Sequence, residues 1–288
     1  MTSTTPVIGI IGGSGLYQMD AISDLEEIEL ATPFGAPSDA FLRGRMGDVT
    51  VVFLPRHGRG HRVSPSELNF RANIWGMKKL GVSRILSVSA VGSLKEEIVP
   101  GDFVIIDQFI DRTRHRVDTF FTGGVVAHVM FADPVCPDLR GALLSATADM
   151  DVKAHDGGTY VNMEGPQFST KAESELYRSW GAEVIGMTNL QEAKLAREAE
   201  ICYATIAMAT DYDCWHPDHD HVTVEQVVAT MHANVDHARE ALVRAIPLVA
   251  GEPTCGCQSA LAHAIMTDPA TIPDEARDRL GLLIDKYV

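Results

Sequence analysis

Residues 209–215 read Ala-Thr-Asp-Tyr-Asp-Cys-Trp and end an apolar run that starts at Ile201. The run predicts a buried β-strand with Asp211 and Asp213 at its carboxyl end. Because side chains on a strand point to the same side at every second residue, both carboxylates are expected to face one spot. Open α/β sheets bind ligands beyond the carboxyl ends of their strands, so the pair predicts a ligand site. The alternative is that the two acids cap a following helix.

Four other predicted strands also end in residues that suit a ligand site. These strands are expected at 7–11, 49–54, 84–89 and 183–187. Hydroxyl, guanidinium and imidazole groups beside a glycine turn suit a phosphate, whose oxygens accept several hydrogen bonds at once. The residues that follow or end these strands are Ser14, Arg56 with His57, Ser89 and Thr188.

The glycine turn at 12–15, Gly-Gly-Ser-Gly, does not match the known nucleotide fingerprints. A dinucleotide motif starting at Gly13 would need glycine at Gln18, and a phosphate-binding loop of the Walker type would need a following Lys-Ser or Lys-Thr. The turn therefore predicts an anion loop of another kind, with ordinary turn chemistry as the alternative.

Composition excludes several classes of protein. The chain has 288 residues, of which 45% are hydrophobic and 22% charged, as in soluble globular proteins. Its net charge of −15 argues against a nucleic-acid binder, which needs a basic face. No apolar run approaches the roughly 20 residues that span a bilayer, and the first residues lack the regions of a signal peptide. We therefore expect no membrane partner and a cytoplasmic location.

The alternation of strands and helices predicts an α/β fold, a single domain with a mixed β-sheet flanked by helices. A hairpin is expected from 41–45 to 49–54 and a strand at 101–108. The capping-box pattern from Ser64 to Glu67 predicts a helix over 65–80, and the segment 112–137 shows no regular period.

The carboxyl-terminal part predicts helices. A long amphipathic helix is expected from Thr223 towards Val249. Beyond it, 251–288 is predicted to be a helical extension with helices at 258–266 and 274–287, packed on the same domain or on a neighbouring subunit.

Two clusters contain residue types that bind metals. His-Pro-Asp-His-Asp-His at 216–221 is predicted to be a solvated loop, because adjacent residues rarely converge on one ion. Cys255-Gly256-Cys257 supplies two thiols, which alone make an incomplete metal site, and redox chemistry is the alternative there. No metal site is predicted.

Several motifs in the same order resemble the trimeric purine nucleoside phosphorylase family over 7–249. The matching stretches are 11–15, Pro55-Arg56-His57-Gly58-Arg59, Asn73-Ile74-Trp75, Gly101-Asp102, Glu164-Gly165-Pro166-Gln167-Phe168-Ser169, Gly186-Met187-Thr188 and 209–215. The resemblance implies a nucleoside phosphorylase domain over 1–250, with a partly barrel-like sheet. It also implies a homotrimer, with a dimer of trimers as the alternative.

The resemblance further implies the layout of the site. Phosphate would be held by Ser14, Arg56, His57, Ser89, the Ala90 backbone and Thr188. The ribose would lie against Met187, and the base would meet Phe168, Ser169, Asp211 and Asp213. A 5′-methylthio group would lie near His61, Val224, Val227 and Val228.

The implied reaction is phosphorolysis of 5′-methylthioadenosine to adenine and 5-methylthioribose 1-phosphate, with inorganic phosphate as co-substrate and no cofactor. Asp211, Asp213, Arg56 and His57 would carry the chemistry. Relatives selective for 6-oxopurines have Asn in the place of Asp211 and Glu in that of Ser169, so a 6-aminopurine is expected. The alternatives are a broader adenosine or methylthioinosine phosphorylase and a non-catalytic purine sensor. Gln191 departs from the family, in which Pro is frequent.

Overall fold

The computed structural model describes residues 6–13, 16, 21–217 and 224–288, with the backbone alone at 226 and 233. Eleven strands and six helices lie in these ranges. The strands are β1 Val7–Gly12, β2 Ser23–Ile28, β3 Phe41–Met46, β4 Val49–Pro55, β5 Val82–Ser93, β6 Phe103–Ile105, β7 Gln108–Arg112, β8 Ala154–Asp156, β9 Thr159–Met163, β10 Val184–Gly186 and β11 Cys202–Asp211. The helices are α1 Phe70–Lys79, α2 Pro137–Thr147, α3 Lys171–Ser179, α4 Asn189–Glu198, α5 Val224–Leu248 and α6 Asp274–Ile284.

All eleven strands belong to one mixed sheet that branches at β5. One path runs β2-β3-β4-β1-β5-β10-β9-β7, and a second continues from β5 through β11 and β6 to β8. Strands β1, β4, β5 and β11 run parallel to their neighbours in this group, whereas β10 meets the end of β5 in antiparallel register. The predicted single α/β domain with a mixed sheet between helices is confirmed.

The parallel pairs bring the predicted strand ends to one edge of the sheet. Gly12 is paired with Pro55, and Ala207 with Ser89. The Arg56 amide continues the first pairing by donating to the Gly12 carbonyl at 2.9 Å. The carboxyl ends of β1, β4, β5 and β11 therefore share an edge, where open α/β sheets bind ligands.

Apolar layers on both faces of the sheet hold the helices in place. One buried cluster joins strand residues such as Ile10 and Leu86 to α2 and α5. The other joins Ile11 and Ile85 to α1, α4 and α6. Adjacent strand residues thus contribute to opposite layers, as the alternation of side chains on a strand requires.

The predicted helix over 65–80 is wrong at its start. Ser64 Oγ donates to Glu67 Oε2 at 2.6 Å, and the Glu67 amide donates to the Ser64 carbonyl at 3.1 Å, so the capping-box residues form a local turn. The helix begins only at Phe70, where Asn69 is the N-cap and accepts from the Ala72 amide at 3.1 Å. The same residue pattern can satisfy a turn without a helix behind it.

Two further predictions fail in detail, and one is confirmed. The strand expected at 101–108 is divided into β6 and the start of β7. The helix expected at 258–266 is replaced by turns and a short 3-10 helix, Cys257–Ser259. Residues 113–136 contain no helix or named strand among the described residues, as predicted.

The chain beyond 251 lies against the rest of this molecule. The Ala264 carbonyl accepts from the His128 amide at 2.8 Å, and the Met266 amide donates to the Val126 carbonyl at 2.9 Å. Leu280 and Ile284 of α6 are buried in the second apolar layer. Within the described ranges, no helix has both the length and the apolar content that crossing a membrane would require.

Candidate active site

Arg56 follows β4 and is buried, with its guanidinium held by protein atoms. Nε and Nη2 donate to the two carboxylate oxygens of Glu192. Nη2 also donates to Ser87 Oγ at 2.6 Å, and Nη1 donates to the Val88 carbonyl at 2.9 Å. Among the described residues these contacts engage four of the five N–H groups, so one N–H on Nη1 remains for a ligand.

The other arginine of this loop has a different environment. Arg59 is exposed and pairs with Asp39 at 2.8 Å and with Glu27 at 2.7 Å. The loop at 55–61 therefore contributes one buried arginine, Arg56, to the sheet edge.

His57 is held in a neutral, oriented form. Its Nδ1 lies 2.8 Å from the Val63 carbonyl oxygen, which can only accept, so the neutral ring carries its proton on Nδ1 and offers the Nε2 lone pair. Burial and the nearby Arg56 charge lower the pKa of His57 to about 4. The exposed His61 stacks on this ring with 4.3 Å between ring centroids.

Ser89, Ala90 and Thr188 lie around the end of β5. Ser89 is paired with Ala207, and Ala90 with Met208, of β11. Thr188 is buried at the N-cap of α4, and its hydroxyl caps none of the described helix amides. The amides of a helix N-terminus favour anions, so this arrangement suits a phosphate.

Asp211 and Asp213 lie beside each other, but not for the predicted reason. Strand β11 ends at Asp211 after a register shift, and Asp213 lies in the following turn with φ of 50°, a left-handed conformation that Asp tolerates. The alternation argument is therefore wrong for Asp213. A Cβ atom at Gly92 would lie 3.0 Å from Asp211 Oδ1 and 3.3 Å from Asp213 Cβ, so both acids pack against this glycine.

Hydrogen bonds to the two carboxyls only partly offset the effect of burial on their pKa values. Thr210 Oγ1 donates to Asp211 Oδ2 at 2.7 Å, and the Asp213 amide donates to Asp211 Oδ1 at 2.8 Å. Burial nevertheless raises the pKa of Asp211 to about 6, with the charge of Asp213 acting in the same direction. Burial also raises the pKa of Asp213. The pair can therefore hold a proton near neutral pH.

The residues predicted to contact the base lie in the loop between β9 and α3. Cys214 Sγ donates to the Ser169 carbonyl at 3.3 Å, which links this loop to the Asp213 turn. Phe168 is 44% exposed in the single chain, so its ring is available to a ligand. The structure thus brings Ser169 next to the aspartate turn.

Gln191, whose role the sequence left open, is fully buried in the first turn of α4. Its Oε1 accepts from Arg116 Nη1 at 2.9 Å, and its Nε2 donates to Thr113 Oγ1 at 3.0 Å. Arg116 also donates to the Met187 carbonyl. Gln191 therefore ties the irregular segment after β7 to the loop that carries Met187 and Thr188.

The remaining predicted contacts are less complete. Val224 and Val228 are 67% and 37% exposed at the start of α5, and Val227 is half-buried. These side chains leave apolar surface open in the single chain. Ser14, His219, His221 and Thr223, the expected start of the long helix, lie outside the described residues.

Two functional neighbours were missed by sequence reasoning. Glu192 is buried and also accepts from Tyr203 OH at 2.8 Å and Ser87 Oγ at 3.0 Å. The Tyr160 hydroxyl is fully buried beside the Ser89 side chain and the Thr188 backbone, and it lies 1.9 Å from where a Cβ atom of Gly186 would be. A glutamate on a helix and a tyrosine on a strand carry no local signal for such positions.

Comparison with known proteins identifies the family. Residues 7–247 match the model of the phosphorylase superfamily, and the chain therefore belongs to this superfamily. The family predicted from the motifs is confirmed at this level.

Two relatives that match nearly the whole chain carry the name of one enzyme rather than of the whole superfamily. The chain is 60% identical over 283 residues to S-methyl-5′-thioadenosine phosphorylase of Geobacter sulfurreducens, covering 98% of this chain and 99% of that protein. It is 58% identical over 288 residues to the enzyme of the same name from Thermosynechococcus vestitus, covering 99% and 100%.

Solved structures agree with these relatives. A methylthioadenosine phosphorylase from an antarctic soil metagenomic library superposes with a TM-score of 0.93 at 48% identity, covering 97% of this chain and 99% of that one. The Schistosoma mansoni enzyme in complex with adenine gives 0.85 at 37% identity, covering 90% and 99%.

Proposed function

We propose that this protein is a pentosyltransferase that cleaves 5′-methylthioadenosine with phosphate, yielding adenine and 5-methylthioribose 1-phosphate. The observation that carries the proposal is the position of Asp211, a carboxyl with a raised pKa, opposite Gly92 on the strand that carries Ser89 and Ala90. Asp211, which can donate a proton to a base, thus lies across from a point on β5 only two or three residues beyond Ala90 and Ser89, which suit a phosphate. The names of the relatives support the same reaction.

Phosphate would enter at the shared strand edge. The free N–H of Arg56, the Thr188 hydroxyl, the Ala90 backbone and the first amides of α4 would donate to its oxygens. Neutral His57 would accept from a phosphate hydroxyl through Nε2. Ser14 and Ser89 would add hydroxyl groups. The bound dianion serves as the nucleophile and as a counter-charge for the positive charge that develops on the ribose.

At the other end, the purine leaves with the electron pair of the broken glycosidic bond. A phosphate oxygen forms a bond to the anomeric carbon as the bond from that carbon to the base breaks. Asp211, when protonated, gives its proton to N7 of the departing purine, which removes the developing negative charge. Asp213 would accept from the 6-amino group, and Phe168 and Ser169 would line the base.

The 5′ group and the assembly belong to the same proposal. Met187 would lie against the ribose, and His61 with Val224, Val227 and Val228 would surround the methylthio group. A dry apolar pocket favours a thioether over a hydroxyl by about 1 to 3 kcal/mol. The exposed valines support a neighbouring subunit that completes the pocket, and the family resemblance implies that the assembly is a homotrimer. A cytoplasmic location remains a prediction.

A broader 6-aminopurine phosphorylase is the second candidate. One structural relative, from Schistosoma mansoni, is described as an adenosine/methylthioadenosine phosphorylase and is 40% identical to this chain. The modest energetic margin of an apolar 5′ pocket is compatible with such breadth.

The test follows adenine release from 5′-methylthioadenosine, with and without phosphate, beside adenosine and methylthioinosine. We expect phosphate-dependent cleavage that is fastest with 5′-methylthioadenosine. Equal kcat/KM for adenosine would favour the broader enzyme, and fastest cleavage of methylthioinosine would contradict the assignment of the base contacts. Binding of all three without cleavage would contradict catalysis.

A further inference from the structure

Four of the five cysteines converge at the end of the sheet opposite the candidate active site. Cys136 is the N-cap of α2, Cys202 opens β11, and Cys255 and Cys257 lie in the loop after α5. Their four Sγ atoms all lie within 4.8 Å of one another. The pair that the sequence showed as an incomplete site is thus completed by two residues more than 50 positions away.

The spacing of the sulfur atoms fits a shared ion better than two bonded pairs. Cys255 Sγ is 3.5 Å from Cys136 Sγ and 3.4 Å from Cys202 Sγ, so it has two near neighbours. Four thiolates around one Zn²⁺ at about 2.3 Å would lie about 3.8 Å apart along each edge of the tetrahedron. The observed limit of 4.8 Å is close to that arrangement.

The surroundings hold the four thiols in place. Cys136, Cys202 and Cys257 are buried and Cys255 is half-buried. The Asp138 carboxylate accepts from the Thr254 amide at 2.7 Å and the Cys255 amide at 3.0 Å, which fixes the loop beside the start of α2. Cys136 lies at the N-terminus of α2, where the helix dipole favours negative charge such as that of a thiolate.

Further contacts position the loop from the other side. Arg84 donates from Nη1 to the Val249 carbonyl and from Nη2 to the Gly251 carbonyl at 2.6 Å. The Cys136 amide donates to the Tyr203 carbonyl at 2.8 Å, which joins α2 to β11. Such bonds around the ligands orient them and are typical of protein metal sites.

We propose that Cys136, Cys202, Cys255 and Cys257 bind one Zn²⁺ in a closed tetrahedral site that fastens the carboxyl-terminal segment to α2 and β11. Four thiolates leave no open coordination position, so the ion would be structural. Asp211 is at the other end of β11, roughly 30 Å from Cys202 at the usual rise of a strand. The site is therefore separate from the proposed reaction and does not depend on it.

The test begins with the unaltered full-length protein. It is expressed with zinc in the medium, freed of loose metal on a chelating resin, and measured by elemental analysis. We expect about one Zn²⁺ per chain, as a closed site requires. Replacement by Co²⁺ should give the visible bands of a tetrahedral ion and near-ultraviolet sulfur-to-cobalt charge transfer.

Variants locate the metal. Cys255→Ser and Cys257→Ser lie in the loop and should each lose most of the bound zinc, whereas Cys214→Ser, which replaces the cysteine outside the cluster, should retain it. Circular dichroism checks that each variant is folded. A strong chelator should lower the melting temperature of the wild type and change that of Cys255→Ser little.

Three results would overturn the proposal. The first is metal-free protein that shows five reactive thiols when denatured, the full number of cysteines, yet takes up no Zn²⁺ when folded. The second is disulfide-linked peptides from non-reduced protein made in a reducing cytoplasm. The third is one equivalent of zinc retained by a Cys255→Ser/Cys257→Ser double variant, which would place the metal elsewhere.

Discussion

Arg56, which is buried, and Asp211, which is half-buried, lie at the same edge of the sheet, but only the charge of Arg56 is balanced by an opposite charge. Arg56 is matched by the Glu192 carboxylate and further acceptors. Asp211 receives two hydrogen bonds but lies beside a second acid, and burial raises its pKa to about 6. A matched charge stays fixed and positions a ligand, whereas an unmatched carboxyl changes protonation near neutral pH and can transfer a proton.

The largest expected effect comes from removing the partner of Arg56. Glu192→Gln leaves a buried guanidinium without a counter-charge, which typically costs about 3 to 5 kcal/mol. We expect a loss of this size in the free energy of unfolding, measured in urea, and a higher KM for phosphate because Arg56 is no longer held in place.

Glu175→Gln is a matched control, because it makes the same substitution in an exposed ion pair. Glu175 pairs with Arg178 at 4.0 Å and its side chain is 64% exposed, so Glu175→Gln should change stability by less than about 1 kcal/mol. If Glu192→Gln unfolded at the same urea concentration as the wild type, Arg56 would not need Glu192 as a counter-charge.

The next effect concerns the unmatched carboxyl. Asp211→Asn keeps the shape of the side chain but removes its acidic proton, so kcat with 5′-methylthioadenosine should fall about 100-fold, a typical contribution of a general acid. Relative activity on methylthioinosine should rise. Initial rates on both substrates test the change.

The pH profile separates this role from other titrations. With a pKa of about 6, about one Asp211 in ten is protonated in the free enzyme at pH 7. The ratio of wild-type to Asp211→Asn kcat/KM cancels the titration of phosphate and of His57. We expect this ratio to fall as pH rises above 6, and a flat ratio would contradict proton donation by Asp211.

The contrast between Arg56 and Asp211 also shows which features could be predicted from the sequence. Each strand end is a local pattern, an apolar run followed by polar residues, so Arg56, Ser89, Thr188 and Asp211 were found at one edge. Glu192 was not, because its partner is 136 residues away and a glutamate on a helix usually faces solvent. A contact between residues far apart in the chain cannot be read from a short stretch of sequence.

Other features depended on the backbone rather than on the pattern. Asp213 was expected beside Asp211 by strand alternation, but a left-handed turn brings it there. Ser64 and Glu67 matched a helix start and formed a turn instead. The cysteine cluster could not be predicted from Cys255 and Cys257, because it depends on how α2 and β11 begin.

The third prediction concerns stability as a function of pH. The folded-state pKa of Asp211, about 6, is above its ordinary value of 3.8, so the folded protein binds this proton more tightly than the unfolded chain. This stabilisation is present below about pH 4 and is lost as pH rises to about 6. The difference in unfolding free energy between wild type and Asp211→Asn should therefore fall by about 2 to 3 kcal/mol over that window.

Urea titrations at a series of pH values measure this difference. Asp213 titrates in both proteins, but the charge of Asp211 acts on it only in the wild type, so the difference reports the titration of the pair. A difference that stayed constant from pH 4 to 7 would mean that the Asp211 carboxyl has an ordinary pKa in the folded protein.

The smallest effect belongs to a hydroxyl that neither balances a charge nor transfers a proton. Thr188→Val keeps the branched shape at the N-cap of α4 and removes one donor, and a single hydrogen bond is worth about 1 kcal/mol. We expect the KM for phosphate to rise about 5-fold, with kcat and the urea midpoint little changed, because the hydroxyl caps none of the described helix amides. Thr188→Ser restores the hydroxyl and should restore the KM. If Thr188→Val instead lowered stability and left the KM unchanged, Thr188 would support α4 rather than hold phosphate.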